Sequence, residues 1–270
     1  MRIEKAKDLR DALSLFAQGA RPMAGCTNIL VDRKRTPDPD AFYADIIGLP
    51  ELKGIMETEE EILIGAAVTF AELLSSGRGD YIRALSEAAA AMGGPQIRNR
   101  ATVAGNICDA SPACDAGPAL LALDASVTAV SEKGERLIPV SGFFEGVRKT
   151  ALDPVELAVN IRIPKTAGRS FFYKVGNRSA LAISVASLAG KQYPDGTVRL
   201  AMGSVSDRPV RLYGCEEAVR AGLPAEEILS ALEKDIAPIS DLRASAEYRR
   251  AVAGNLLMKA LRKEFAYGNI

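Results

Sequence analysis

Apolar residues recur along the first part of the chain with two different spacings, which predicts a mixture of helices and strands. Leu9, Leu13 and Phe16 fall on one helical face before Gly19, and this spacing predicts an amphipathic helix near the N-terminus. The segment from Thr69 to Glu72 has the form of a capping box, which is typical of a helix start. The short apolar runs that predict buried strands are 44–49 and 62–66, and a short segment at 21–24 leads into a turn at 25–28.

The middle of the chain continues this mixture. A helix is predicted over residues 80–92, where the apolar positions share one face until Gly93-Gly94-Pro95 ends it. Residues 96–106 form a stretch that is poor in helix signals. A further helix is predicted near residues 117–123, and Lys133-Gly134 predicts a hairpin turn.

The last hundred residues have a different pattern. Residues 155–163 alternate apolar and polar side chains, as a half-buried strand does, and residues 164–169 (PKTAGR) are the best linker candidate. The elements predicted beyond this linker are strands at 171–175, 183–188 and 198–205 and helices at 215–220, 225–235 and 244–265. Strands followed by helices are typical of an α+β domain whose sheet is covered on one face. We therefore expect a domain boundary near residue 167.

The composition narrows the possible chemistry. The 270 residues include 34 Lys plus Arg, 34 Asp plus Glu and no histidine. A chain without histidine cannot form a Ser-His-Asp triad, a Cys-His pair or a histidine-ligated zinc site. A formal charge of zero disfavours nucleic-acid binding, which depends on a basic surface. Catalysis is therefore expected to depend on other side chains or on a bound cofactor.

The distribution of cysteines and apolar segments predicts a cytoplasmic protein. No segment is apolar over the length that crossing a bilayer requires, so we expect no membrane contact. The charged N-terminal sequence MRIEKAKDLRDAL resembles an amphipathic helix rather than a signal peptide. The four cysteines lack C-x-x-C spacing and are interpreted as reduced thiols.

Two segments of small and hydroxyl-bearing residues are candidates for ligand binding. They are residues 24–28 (AGCTN) and residues 102–106 (TVAGN), and the second leads to Asp115. Small residues allow close approach of the backbone, and successive N–H groups in such turns can bind an anion. The two segments could thus hold both ends of an elongated phosphorylated cofactor. On chemistry alone, ordinary structural turns are the commoner outcome.

A family resemblance favours ligand binding over ordinary turns at these two segments. Residues 22–34 (PMAGCTNILVDRK) resemble the P-x-A-G-G-T-x-L motif of the FAD-binding subunit of molybdenum hydroxylases, which include xanthine dehydrogenase and carbon monoxide dehydrogenase. Residues 93–125 resemble the second family motif, Q-I-R-N-x-A-T-x-G-G-N followed by A-S-P-x-x-D. Residues 143–164 and 171–184 resemble later family segments, so the resemblance runs in order over nearly the whole chain.

The fold that the resemblance implies is α+β with two parts. Residues 1–167 would form the FAD-binding domain, built from two α/β subdomains with a break near residue 53. Residues 168–270 would form a C-terminal α+β domain, in which a three-stranded antiparallel sheet is joined to a helical bundle.

The resemblance also implies a role for individual residues. Those expected to wrap the FAD pyrophosphate are Ala24, Gly25, Cys26, Thr27, Asn28 and Ile29. Those expected in a second clamp on the cofactor are Thr102, Ala104, Gly105 and Asn106. Asp115 would bind a hydroxyl of the sugar or ribityl group, and Ala158 would lie at an apolar position near the flavin. Lys174 would stabilise the reduced, anionic flavin as a nearby cation. Without the resemblance, Lys174 would be interpreted as a solvated strand lysine.

This sequence departs from the family pattern at several positions. Cys26 and Ala104 stand where glycine is usual, and close backbone approach is expected to survive if φ is negative there. Residues 181–183 (LAI) occupy a segment in which many family members carry an acidic residue, so the identity of the electron acceptor stays open. Cys108 and Cys114 cannot by themselves complete a four-thiolate iron–sulfur cluster. The absence of histidine excludes histidyl attachment, so FAD is expected to bind non-covalently.

The function that the resemblance implies is that of a flavoprotein oxidoreductase subunit in electron transfer. Electrons would come from [2Fe-2S] centres in a small iron–sulfur subunit, while a large molybdopterin-binding subunit would oxidise the substrate. NAD or another acceptor would then receive the electrons. Two alternatives remain open at this point: a stand-alone FAD-dependent oxidoreductase, and a non-catalytic assembly subunit that has lost FAD.

Overall fold

The computed structural model describes residues 1–178, 181–265 and 267, apart from the side chain of Asp80. The strands in this part of the chain are β1 (Arg2–Lys5), β2 (Arg21–Met23), β3 (Phe42–Asp45), β4 (Ile55–Glu57), β5 (Glu61–Gly65), β6 (Ser126–Ser131), β7 (Gly134–Pro139), β8 (Phe144–Gly146), β9 (Lys149–Thr150), β10 (Leu157–Pro164), β11 (Arg169–Gly176), β12 (Ser184–Gln192), β13 (Val198–Gly203) and β14 (Val210–Arg211). The helices are α1 (Leu9–Ala17), α2 (Ile29–Arg35), α3 (Phe70–Ser75), α4 (Gly79–Ala91), α5 (Pro95–Arg98), α6 (Val103–Cys108), α7 (Ala116–Ala122), α8 (Tyr213–Arg220), α9 (Ala225–Asp235) and α10 (Ala246–Lys263).

The first sheet is small and parallel. Its strand order is β1-β3-β2, with α1 connecting β1 to β2 and α2 connecting β2 to β3. Helix α1 begins after Asp8, whose side chain accepts a hydrogen bond from the backbone N–H of Asp11 at 2.7 Å. The first candidate segment lies between β2 and α2, at the carboxyl end of a parallel strand.

The second sheet has the order β4-β5-β10-β6-β7, and its pairs are antiparallel. Strand β10 occupies the centre, and its inward side chains Ile161 and Ile163 are fully buried. The helices α3 to α7 come between β5 and β6 in the chain. The second candidate segment belongs to this helical region.

The third sheet connects two apolar cores. Its strand order is β11-β12-β13-β14, and all its pairs are antiparallel. Phe172 and Ala189 on one face join the core of the first part of the chain, whereas Phe171 and Leu188 on the other face pack with helices α8 to α10. Side chains alternate across a strand, so Lys174 lies on the same face as Phe172 and points toward the first part of the chain.

The expectation of a mixed α and β fold is confirmed, but several of its details are wrong. Within the described residues, the C-terminal sheet has four strands instead of three. The additional strand β14 spans two residues, which is too short to produce a visible period. Residues 2–5 form a strand although the N-terminal sequence resembles a helix, and residues 96–106 contain most of α5 and part of α6 although this stretch is poor in helix signals. None of the described helices is long and apolar enough to cross a membrane.

Candidate functional site

The first segment forms a tight turn that rests on the backbone of a distant part of the chain. A Cβ atom on Gly25 would lie 2.0 Å from the backbone oxygen of Arg100, so only glycine permits this contact. The turn passes through Cys26, whose φ of 64° lies in the left-handed region. The condition of a negative φ is therefore not met at position 26, and the turn adopts a conformation that favours the glycine of the family motif.

The remaining residues of this segment lead into α2. Asn28 precedes the helix, and its side chain makes no cap hydrogen bond. Instead, its Nδ2 donates to Oδ2 of Asp109 at 2.7 Å. Cys26 and Ile29 pack against a small apolar cluster on β2 and β3, while Ala24 and Thr27 are partly exposed. The segment is therefore partly exposed and is fixed by a few contacts.

The second segment is the capped start of a buried helix. The hydroxyl of Thr102 accepts a hydrogen bond from the backbone N–H of Gly105 at 2.9 Å and so caps α6. A Cβ atom on Gly105 would lie 2.7 Å from the Thr102 hydroxyl oxygen, so the cap requires glycine there. Ala104 lies within α6, where φ is negative, and its side chain is buried. Alanine can therefore replace the family glycine at position 104 without strain.

Asn106 and Asp115 lie together at the start of the following helix. The Oδ1 atom of Asn106 accepts a hydrogen bond from the backbone N–H of Ala116 at 3.1 Å, which joins α6 to α7. Asp115 directly precedes α7, and its Oδ2 atom accepts a bond from Nζ of Lys174 at 2.7 Å. The two side chains of this ion pair are 7% and 10% exposed, so the interpretation of Lys174 as a solvated lysine is wrong.

Burial controls the electrostatics of this ion pair. Desolvation raises the pKa of Asp115 to about 6, although the positive charge of Lys174 acts in the opposite direction. The Oδ1 atom of Asp115 is buried and has no hydrogen-bond partner within the part of the chain that the structure describes. Burying an acceptor without a partner costs free energy, so this oxygen is well suited to accept a hydrogen bond from a ligand hydroxyl.

Two positively charged side chains bind the backbone oxygens at the C-terminal end of α4. Nζ of Lys174 donates to the backbone oxygen of Ala91 at 3.1 Å, and the Arg98 guanidinium donates to those of Met92 and Gly93 at 3.0 and 2.9 Å. Positive charge is favourable at this end of a helix because of its dipole. The role of Arg98 was not predicted, although a basic residue shortly after a Gly-Gly-Pro helix stop is a usable signal.

An apolar edge lies beside the end of α4. Leu181 and Ile183 are each 54% exposed, and Cδ2 of Leu181 lies 3.1 Å from the position that a Cβ atom on Gly94 would take. These side chains belong to the segment that is acidic in many family members. The edge therefore presents apolar surface where the resemblance suggests charge.

Ala158 occupies the centre of the five-stranded sheet. It is 4% exposed and pairs with Ala129 of β6, next to a register shift in β10. Its side chain contributes to the core, and its location near a flavin remains a prediction.

The cysteines show no sign of thiolate chemistry. Desolvation raises the pKa of both Cys108 and Cys114 to about 12, so both thiols stay protonated at neutral pH. Within the described residues, no cluster of three or more His, Cys, Asp or Glu side chains could hold a metal ion.

Comparisons with known proteins give family matches over most of the chain. Residues 1–166 match the family described as the FAD binding domain in molybdopterin dehydrogenase, and residues 171–263 match the C-terminal domain of CO dehydrogenase flavoproteins. The chain is 33% identical to the xanthine dehydrogenase FAD-binding subunit of Escherichia coli O157:H7, covering 97% of this chain and 95% of that one. It is 30% identical to the carbon monoxide dehydrogenase medium chain of Hydrogenophaga pseudoflava, covering 96% and 95%.

The fold is also similar to that of a solved structure. Carbon monoxide dehydrogenase from Hydrogenophaga pseudoflava, in a form that lacks the Mo-pyranopterin moiety of the molybdenum cofactor, contains a chain that superimposes with a TM-score of 0.91. The sequence identity is 27%, and the match covers 99% of this chain and 98% of that one.

Proposed function

Since this chain belongs to the family of FAD-binding domains of molybdopterin dehydrogenases, we propose that it is the FAD-binding electron-transfer subunit of a molybdenum hydroxylase complex. The resemblance found in its sequence motifs is confirmed by the matches to this family. The observation that carries the proposal is the contact of Gly25 with the backbone of Arg100. Gly25 lies in the first segment and Arg100 lies two residues before the second, so this contact brings the two segments together.

The described residues have the chemistry that FAD requires. The backbone N–H groups of residues 24–29 would bind the pyrophosphate, and residues 102–106 would form the second clamp. The unpaired Oδ1 atom of Asp115 would accept a hydrogen bond from a sugar or ribityl hydroxyl. Ala158 would support the flavin from the apolar side.

Bound FAD would supply the redox chemistry, and the protein would bind, orient and tune it. Lys174 has the clearest tuning role because its ammonium group is fixed between Asp115 and the backbone oxygen of Ala91. A cation held in this way favours negative charge on a neighbouring group. The chain has no histidine, which excludes histidyl attachment, and we expect FAD to be held non-covalently.

The partners that we infer follow from the named relatives, which are a FAD-binding subunit and a medium chain. An iron–sulfur small subunit with [2Fe-2S] centres would supply the electrons, and a molybdopterin-binding large subunit would oxidise the substrate. NAD or another acceptor would receive the electrons at the edge formed by Leu181 and Ile183. The four cysteines are free, which fits the cytoplasmic location that we expect.

FAD titration of the purified chain tests this proposal. We expect one FAD to bind per chain, with changes in the flavin absorption and fluorescence. If no flavin binds, the proposal is overturned, and the alternative hypothesis, an assembly subunit that has lost FAD, replaces it. Substrate oxidation by the isolated chain would indicate the stand-alone oxidoreductase, whereas co-purification with iron–sulfur and molybdenum subunits would support the complex.

A further inference from the structure

Asp109 connects the two candidate FAD-binding segments. It follows α6 directly, and its Oδ2 atom accepts a hydrogen bond from Nδ2 of Asn28 at 2.7 Å, across 81 residues of sequence. Asn28 ends the first turn. This side-chain bond therefore joins the end of the first segment to the helix that begins at the second.

Arg148 adds a third element to the connection. It lies in the turn between β8 and β9 with a φ of 59°, and its backbone N–H donates to the backbone oxygen of Ala110 at 2.9 Å. Its guanidinium donates to Oδ1 of Asp109 and lies 3.6 Å from a carboxylate oxygen of Asp32 in α2. The hairpin of β8 and β9 thus contacts both α2, which follows the first segment, and the end of α6, which begins at the second.

Both side-chain oxygens of Asp109 already have partners within the protein, so we assign Asp109 no direct contact with FAD. The pyrophosphate of FAD is negatively charged, so a free carboxylate at this place would repel it. The neighbouring Arg148 neutralises that charge. Asp109 therefore acts through Asn28 and Arg148 and not through direct contact.

The first segment has few other supports. None of the seven residues of α2, all of which the structure describes, is buried. Besides the bond from Asn28, the turn is held by the Gly25 contact and by the apolar packing of Ala24, Cys26 and Ile29. A turn held in its binding conformation binds more tightly, because less ordering is required when the ligand arrives.

We propose that Asp109 is a positioning residue that links the two FAD-binding segments and slows the release of FAD. This inference rests on the proposed function, namely that the chain binds FAD at these segments. Losing the link should affect dissociation more than association, as most changes in a binding site do.

The test is a double-mutant cycle on FAD dissociation from the full chain. Asp109→Ala should increase the dissociation rate about tenfold, the size expected for a hydrogen bond to a charged group. Asn28→Ala should have a similar or smaller effect, and the double variant should release FAD no faster than Asp109→Ala alone. Asn28 is exposed, so its truncation is expected to leave the fold intact.

The control is Asp195→Ala. Asp195 also accepts hydrogen bonds, from the backbone and hydroxyl of Thr197, but in the turn between β12 and β13. It should leave FAD dissociation unchanged. The melting temperature of each FAD-free variant separates a general loss of stability from a specific effect on FAD.

The outcomes distinguish this inference from the proposed function. If the wild-type chain binds no FAD, the proposed function fails. If the wild-type chain binds FAD but Asp109→Ala releases it at the wild-type rate, only the role of Asp109 is overturned. Independent, multiplicative effects of Asp109→Ala and Asn28→Ala on the rate would also contradict a link between them.

Discussion

The two segments at the candidate site contain similar small residues, but the fold supports them very differently. Residues 102–106 begin a helix whose side chains Val103, Ala104 and Ile107 are buried, and backbone hydrogen bonds of Ala101 and Val103 fix its start to residues 68–70. Residues 24–28 lead into α2, which has no buried residue. The second segment is therefore part of the scaffold, whereas the first is docked against it.

This difference predicts unequal local stability. Segments with few buried apolar contacts open more easily than segments inside a core. We therefore expect the first turn to fluctuate in the absence of FAD, while the second keeps its conformation. Each of the following predictions tests one side of this contrast.

The largest effect is expected from Gly25→Ala. The added Cβ atom would lie 2.0 Å from the backbone oxygen of Arg100, so the first turn would have to move away from the scaffold. FAD affinity should fall by about 100-fold, the upper end of what overpacking costs. Fluorescence titration measures this. Gly142→Ala, where no atom of the described residues lies within 4 Å of the new Cβ, is the matched control and should bind like the wild type. Binding of Gly25→Ala within about threefold of the control would contradict the docking contact.

The ion pair of Asp115 and Lys174 predicts a pH dependence on the scaffold side. The pKa of Asp115 is about 6 in the folded chain, above the ordinary value of about 3.9. Between these values the folded state holds the proton more tightly, so ionisation of Asp115 opposes folding as the pH rises. The free energy of unfolding, relative to Asp115→Asn, should therefore be greatest below pH 4 and fall by about 3 kcal/mol in all as the pH rises from below 4 to above 6. Urea unfolding across this range measures it, and a difference that is constant or rises with pH would refute it.

Local sequence signals predicted part of this fold and missed features that depend on distant residues. The capping box at Thr69 is present as predicted, because all of its hydrogen bonds form within four residues. Helices α5 and α6 span only four and six residues, which is too short to show a helical period.

The site required information that no local pattern contains. Asp115 and Lys174 are 59 residues apart, and only the family resemblance placed both near one cofactor. The connection through Asp109 and Arg148 was not predicted, since neither residue is among those that the family motifs imply to contact FAD. The left-handed conformation of Cys26 was also missed, because small size alone does not determine φ.

The cap of α6 offers a smaller test of the scaffold. Thr102→Val removes the hydroxyl that accepts from Gly105 while keeping the shape of the side chain. The free energy of unfolding should decrease by about 1 kcal/mol, as for loss of other helix caps. Denaturant unfolding measures the change. Thr102→Ser retains the hydroxyl and should stay closer to the wild type, so an equal loss in both variants would argue against the cap.

The smallest effects should have opposite signs in the two segments. Cys26→Gly relieves a left-handed φ of 64° and should leave the chain equally stable or more stable by up to about 1 kcal/mol. Ala104→Gly places glycine inside α6 and should destabilise it by about 1 kcal/mol. Thermal unfolding of both variants measures these changes. Destabilisation of similar size in both would mean that the two segments are not supported differently.

Hydrogen exchange of the chain with and without FAD tests the central claim most directly. If FAD binds where the first segment docks against the second, it should slow amide exchange strongly at residues 25–29. Residues 103–108 should already exchange slowly without FAD and change little, because they belong to a buried helix. Unchanged exchange at residues 25–29 in a chain saturated with FAD, or protection found only outside both segments, would contradict the account.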